Sequence, residues 1–96
     1  MLALQQEFNG IRKTISKDID FLAPRLRYED KREILDATGL NPYSALNECF
    51  KLSQISLTIV DTKNIPVGIF GVSYSGAIWL LATPDINRIR YSFLRE

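Results

Sequence analysis

The chain contains no histidine and a single cysteine, Cys49. Without imidazole there is no Ser-His or Cys-His nucleophilic pair, no ordinary zinc site and no histidine general base. One thiol excludes an intrachain disulfide and a thiolate metal site assembled within one chain. No apolar run approaches the roughly 20 residues that a membrane helix needs. The opening Met1-Leu2-Ala3-Leu4 soon meets Gln, Glu and Asn, so it lacks the basic start and long apolar core of a signal peptide. An excess of one charge is missing too. Twelve basic residues stand against eleven acidic ones, net +1, spread along the chain without a clustered nucleic-acid footprint. These absences lead us to expect a soluble protein made in a cytoplasm, with neither nucleic acid nor membrane as partner.

What is present is an ordinary globular composition. The 96 residues are 46% hydrophobic and 24% charged, enough for one domain with a modest core. Asn9-Gly10 reads as a turn, and Ile11-Arg12-Lys13-Thr14-Ile15 alternates as a short strand. Ser16 is placed to cap a helix with Asp18 in its first turn, where negative charge complements the helix dipole. Ile19, Leu22 and Ala23 form the buried stripe of that helix, and Pro24 should end or kink it. Asp30 and Glu33 have capping-box spacing, and the helix they open carries Ile34, Leu35 and Ala37 to a Gly39 stop. Asn41-Pro42 reads as N-cap and first helical residue of a further helix, Tyr43 to Leu52. Its Ala45, Leu46, Cys49 and Phe50 share one face.

From Ile55 the period changes to that of a strand. Ile55 to Val60 alternates, Asp61-Thr62-Lys63-Asn64 supplies a hairpin loop, and Ile65 to Tyr74 is a second strand with Pro66 near its start. Ser75-Gly76 turns the chain again. Ala77 to Ala82 is continuously apolar, which predicts a central strand. Thr83-Pro84 then reads as N-cap and first turn of a last helix, with Ile86, Ile89, Phe93 and Leu94 on one face. The chain stops inside that helix without a C-cap signal, which reads as a domain missing its last part. The order expected is β-α-α-β-β-β-α, an α+β (layered α/β) arrangement with a mostly antiparallel sheet.

That order resembles the front of the GNAT acetyltransferase fold. The segments Phe21-Leu22-Ala23-Pro24-Arg25-Leu26-Arg27, Asp30-Lys31-Arg32-Glu33-Ile34, Asp36-Ala37-Thr38-Gly39-Leu40, Pro66-Val67-Gly68-Ile69-Phe70-Gly71-Val72 and Ile78-Trp79-Leu80-Leu81-Ala82-Thr83 resemble one branch of it. These are the small GNAT-like phage proteins of the internal virion protein A type. The similarity runs from Ile11 onward and leaves residues 1–10 outside. It implies a single incomplete GNAT-like domain over 1–96. GNAT enzymes generally carry a glycine-containing loop after the fourth strand for the pyrophosphate of acetyl-CoA. The corresponding stretch here, Thr83-Pro84-Asp85-Ile86-Asn87-Arg88-Ile89-Arg90, has no glycine. Pro84 lacks an N–H and Asp85 places negative charge where a phosphate would sit. The family's fifth strand and closing elements have no counterpart.

The resemblance therefore implies a phage GNAT-fold protein without acetyl transfer and without a cofactor, acting by protein contacts in virion structure or assembly. Its place would be the host cytoplasm during assembly, or the virion. Trp79, Leu81, Ile86, Phe93 and Leu94 are the expected partner contacts, on an open sheet edge or an unpaired helix face that a virion protein or a second copy completes. The alternative is an acetyl-CoA-dependent N-acetyltransferase in shortened form. Leu81, Thr83 and Arg88 would then touch the cofactor. A third reading is a small α/β binding module whose family likeness carries no functional message. Other candidates have plainer explanations. Arg88, Arg90 and Arg95 suit a solvated helix face, and Asp61, Glu33 and Glu48 suit caps and solubility. Cys49 suits a small buried hydrophobe. Gly68 and Gly71, three apart, fall on opposite faces of one strand and call for a bulge or close packing. No residue is assigned to catalysis or to a metal.

Overall fold

After the short alternation at Ile11 to Ile15, apolar residues recur with helical period up to Phe50 and alternate from Ser53 onward, and the chain divides accordingly into helices and a sheet. The computed structural model describes residues 10–87. Strand β1 (Gly10–Lys13) is followed by helix α1 (Ser16–Leu22), a 3-10 turn (Ala23–Arg25), and helices α2 (Tyr28–Thr38) and α3 (Pro42–Lys51). Strands β2 (Ser53–Val60), β3 (Pro66–Ser73) and β4 (Ile78–Ala82) complete an antiparallel sheet of order β1-β2-β3-β4. Three helices lie between β1 and β2, one for each of the helix starts read at Ser16, Asp30 and Asn41, although the expected order counts two. The break falls at Pro24, beyond which Leu26 is extended (φ −63°, ψ 152°) and the chain re-enters a helix at Tyr28.

The helices cover one face of the sheet. Ile19, Leu22, Ala23, Leu26, Ile34, Ala45 and Leu46 pack against Ile69 and Leu81, with Phe21, Phe50 and Trp79 at the margin. Each large aliphatic side chain fully buried there contributes about 1.5–3 kcal/mol. A second cluster joins Ile59, Val67, Ala82 and Ile86, with Phe70 alongside.

Several local signals at turns and caps act where expected. The Asn41 side chain accepts the Ser44 N–H at 2.8 Å, capping α3 ahead of Pro42. Gly39 ends α2 at φ +72°, and Gly76 turns the β3–β4 hairpin at φ +95°. In the β2–β3 loop the Asp61 carboxylate accepts the N–H groups of Lys63 and Ile65, at 2.8 and 3.0 Å, and this occupies its side chain structurally.

Three expectations are corrected. Ile15, not Ser16, is the N-cap of α1, and the Asp18 carboxylate reaches back to the Ile15 N–H at 2.9 Å. Asp30 and Glu33 do not form a capping box, because α2 already begins at Tyr28 and Asp30 is turned inward. Finally, β4 is not central among the described residues but an edge, paired only with β3. Its apolar run serves two faces. Trp79 and Leu81 turn to the helices, while Ile78 and Leu80 are left 78% and 47% exposed on the other side. Of the last predicted helix only its first turn is described. Arg88, Ile89, Arg90, Phe93, Leu94 and Arg95 lie outside the described residues.

Candidate functional site

The hydrogen bonds of β4 determine what its open side offers. Ser73 N–H donates to the Ala77 carbonyl at 2.8 Å, and Thr83 N–H to the Val67 carbonyl at 2.9 Å. Residues 77 and 83 thus point their backbone at β3, and antiparallel alternation puts Trp79 and Leu81 with them, opposite Gly71 and Ile69. Ile78, Leu80 and Ala82 then point their N–H and carbonyl groups away from the sheet. At Ala82 those groups are already taken. Its N–H donates to Asp30 Oδ2 at 2.8 Å, and its carbonyl accepts the Arg27 N–H at 2.7 Å. The Arg27 side chain grips the same carboxylate with two bonds of 3.0 Å, and Asp30 is 4% exposed. Among the described residues, the edge is therefore plugged at Ala82 and open at Ile78 and Leu80.

Beside the open stretch runs a groove of about 590 Å³ between α2, α3 and β4. Its apolar lining includes Ile34, Ala37, Leu40, Ala45, Leu52 and Leu81, and Trp79 lies at its floor. The indole N–H donates to Ser53 Oγ at 2.8 Å, and that hydroxyl donates onward to the Cys49 carbonyl at 2.6 Å. Trp79 lies across Gly71. A Cβ at that position would sit 2.7 Å from the ring and 2.6 Å from the Ile55 carbonyl. Gly68 serves the opposite face in the same way, where a Cβ would meet Ile86 at 3.2 Å. Close packing thus accounts for both glycines.

Among the described residues, the charged ones lining the groove are Glu33 and Glu48, both exposed, and neither Lys nor Arg lines it. Cys49 lines it too. Burial pushes its thiol pKa up, and the nearby Glu48 carboxylate pushes in the same direction, so the thiol stays protonated and a poor nucleophile. Among the described residues no group of His, Cys, Asp and Glu side chains could hold a metal ion.

Past β4, the backbone N–H groups that could receive an anion are engaged within the chain. Asp85 N–H donates to Thr83 Oγ1 at 3.2 Å, Ile86 N–H to the Thr83 carbonyl at 3.1 Å, and Asn87 N–H to the Pro84 carbonyl at 3.3 Å. Of the cofactor candidates, Leu81 and Thr83 are 8% and 4% exposed and committed to internal contacts, and Arg88 lies outside the described residues. Of the partner candidates, Trp79 is half-buried in the groove, Leu81 and Ile86 are buried within the chain, and Phe93 and Leu94 lie outside the described residues. The exposed apolar side chains of this edge are Ile78 and Leu80, which the sequence pattern did not single out. The signal that could have found them is alternation. Counted from Trp79 as an inward residue, both fall on the other face.

A second polar cluster sits at the opposite side of the sheet. Asp18, 2% exposed, accepts two bonds from Arg12 at 2.8 and 2.9 Å, the Ile15 N–H, and the Thr58 hydroxyl at 2.9 Å. Since the Thr58 proton goes to Asp18, Thr14 donates to Thr58 at 2.9 Å and receives Ser56 at 3.0 Å. Burial alone would raise the Asp18 pKa. The Arg12 guanidinium, the Ile15 N–H and the Thr58 hydroxyl outweigh it and hold the carboxyl below its ordinary value. Asp18, Arg12, Thr14, Ser56 and Thr58 bond one another in a continuous network. Its role is to bind α1 to the sheet.

In comparisons with known proteins, the chain matches no family model, no curated protein and no solved structure.

Proposed function

We propose that this chain is a GNAT-like phage protein of the internal virion type that acts through protein contacts in virion structure or assembly, without acetyl transfer and without a cofactor. Its place is then the host cytoplasm during assembly, or the virion. The segment resemblances given above support the family, and three helices on one face of an antiparallel sheet accord with it. The observation that carries the function is the half-open edge of β4 beside an apolar groove, a surface suited to holding another polypeptide. The observation that speaks against the acetyltransferase alternative is electrostatic. A pyrophosphate would meet Pro84, which has no N–H, and N–H groups already bonded within the chain, and among the described residues the groove is lined by carboxylates and by no cation. No helix among the described residues is long and apolar enough to cross a membrane.

Calorimetric titration with acetyl-CoA tests this reading. The expected result is no saturable heat and no rise in Tm at millimolar cofactor. Saturation at about 100 times Kd would stabilise the fold by about 2.7 kcal/mol, a shift of several degrees, and would reinstate the enzyme.

A further inference from the structure

Resting on that protein-contact reading, the geometry points to a specific occupant: we infer that the β4 edge takes up an extended, apolar peptide segment bearing Lys or Arg, paired as an added strand at Ile78 and Leu80. Two outward-facing residues supply two N–H donors and two carbonyl acceptors, and the plug at Ala82 fixes where pairing must stop. Alternate side chains of an added strand fall on the two faces of the sheet. Those on the helix side enter the groove over Trp79 and Leu81, and those on the other side lie beside Ile78, Leu80 and Phe70. Apolar residues are therefore accepted on both faces.

Charge selects among such strands. Among the described residues, Glu33 and Glu48 line the groove and no Lys or Arg does. An acidic strand is repelled there, and a basic one is drawn in with its aliphatic stem on the apolar wall. The same pair of carboxylates argues against a second copy of this chain as occupant, since edge-to-edge pairing of two β4 strands would bring two such acidic grooves together.

The probe is the peptide acetyl-Lys-Val-Thr-Val-Lys-amide, titrated beside acetyl-Glu-Val-Thr-Val-Glu-amide at low salt and followed by calorimetry and amide hydrogen exchange. The lysine peptide should bind with a Kd below about 1 mM, about fivefold or more tighter than the glutamate peptide. It should also slow exchange at the Ile78 and Leu80 amides. Leu80→Pro removes an N–H that β3 does not use, so the fold should survive and binding should be lost. The double variant Glu33→Lys with Glu48→Lys alters only exposed side chains and should reverse the preference between the two peptides. Equal binding of both peptides, or no reversal, overturns the charge selection. Absence of binding overturns the occupant. Slow exchange at Ile78 and Leu80 in the free protein together with a dimer by sedimentation also overturns it, in favour of a second copy. With acetyl-CoA silent, these failures leave the protein-contact reading standing. Saturable heat with acetyl-CoA overturns both.

Discussion

Two buried aspartates, Asp18 and Asp30, solve the same local problem and leave the two edges of the sheet in different states. Each sits in the first turn of a helix, each is gripped by two bonds from an arginine, and each reaches across to a strand. Asp18 ends on the Thr58 hydroxyl, inside the sheet, and gathers Thr14 and Ser56 behind it. Asp30 ends on the backbone N–H of Ala82, at the rim. The first joins side chains and ties α1 down beside β1. The second occupies one position of an edge and leaves the next two open. A carboxylate bonded to side chains consolidates packing, whereas one bonded to an edge backbone also sets where a neighbour can pair.

The largest expected effect is on the β1 side. Asp18→Ala strands the Arg12 charge, the Ile15 N–H and the Thr58 hydroxyl. It should cost about 3 kcal/mol in urea denaturation, the low end for a broken buried pair because Arg12 is 35% exposed. The same carboxylate sharpens the contrast through pH. Its folded pKa lies below the unfolded value of about 3.9. Its stabilisation is therefore complete well above that value and is lost as pH falls through the folded pKa. Stability measured from pH 6 to pH 2 should fall steeply in the natural chain and less steeply in Asp18→Asn, and equal slopes would refute the assignment. On the open side, Gly71→Ala pushes Trp79 off the strand and should cost about 2 kcal/mol, with a shifted tryptophan emission. Asp30→Asn removes the charge that Arg27 grips. A loss of about 1–2 kcal/mol is expected, with faster amide exchange at Ala82. Least of all, Leu80→Ser at an exposed site should change stability by no more than about 0.5 kcal/mol.

The elements were legible where neighbouring residues decide the outcome. Asn41-Pro42, Gly39, the Asp61–Asn64 loop and Ser75-Gly76 each announce a cap or turn through their own chemistry, and the alternation from Ile55 marks β2 directly. The two aspartates were not legible. Near the start of a helix either one reads as a dipole-compensating or capping residue, and the partners that redirect them, Thr58 and Ala82, lie 40 and 52 residues along the chain. The apolar run by itself pointed to a central β4, and the open edge was expected only through the resemblance. An unbroken apolar run is what a strand buried on both faces needs, but here half of it faces outward at Ile78 and Leu80. The groove was invisible as well, since α2, α3 and β4 contribute to it from three separate parts of the chain.

The Asp30–Arg27 plug on Ala82 has a consequence for solubility over time. An unpaired apolar strand is a template on which further copies can stack, and lateral growth of that kind needs a run of about six residues free to pair along its length. β4 has five residues, and by occupying the last of them the plug leaves only Ile78 to Leu81 on its outer rim. That is long enough to hold one short guest and too short to seed a fibril.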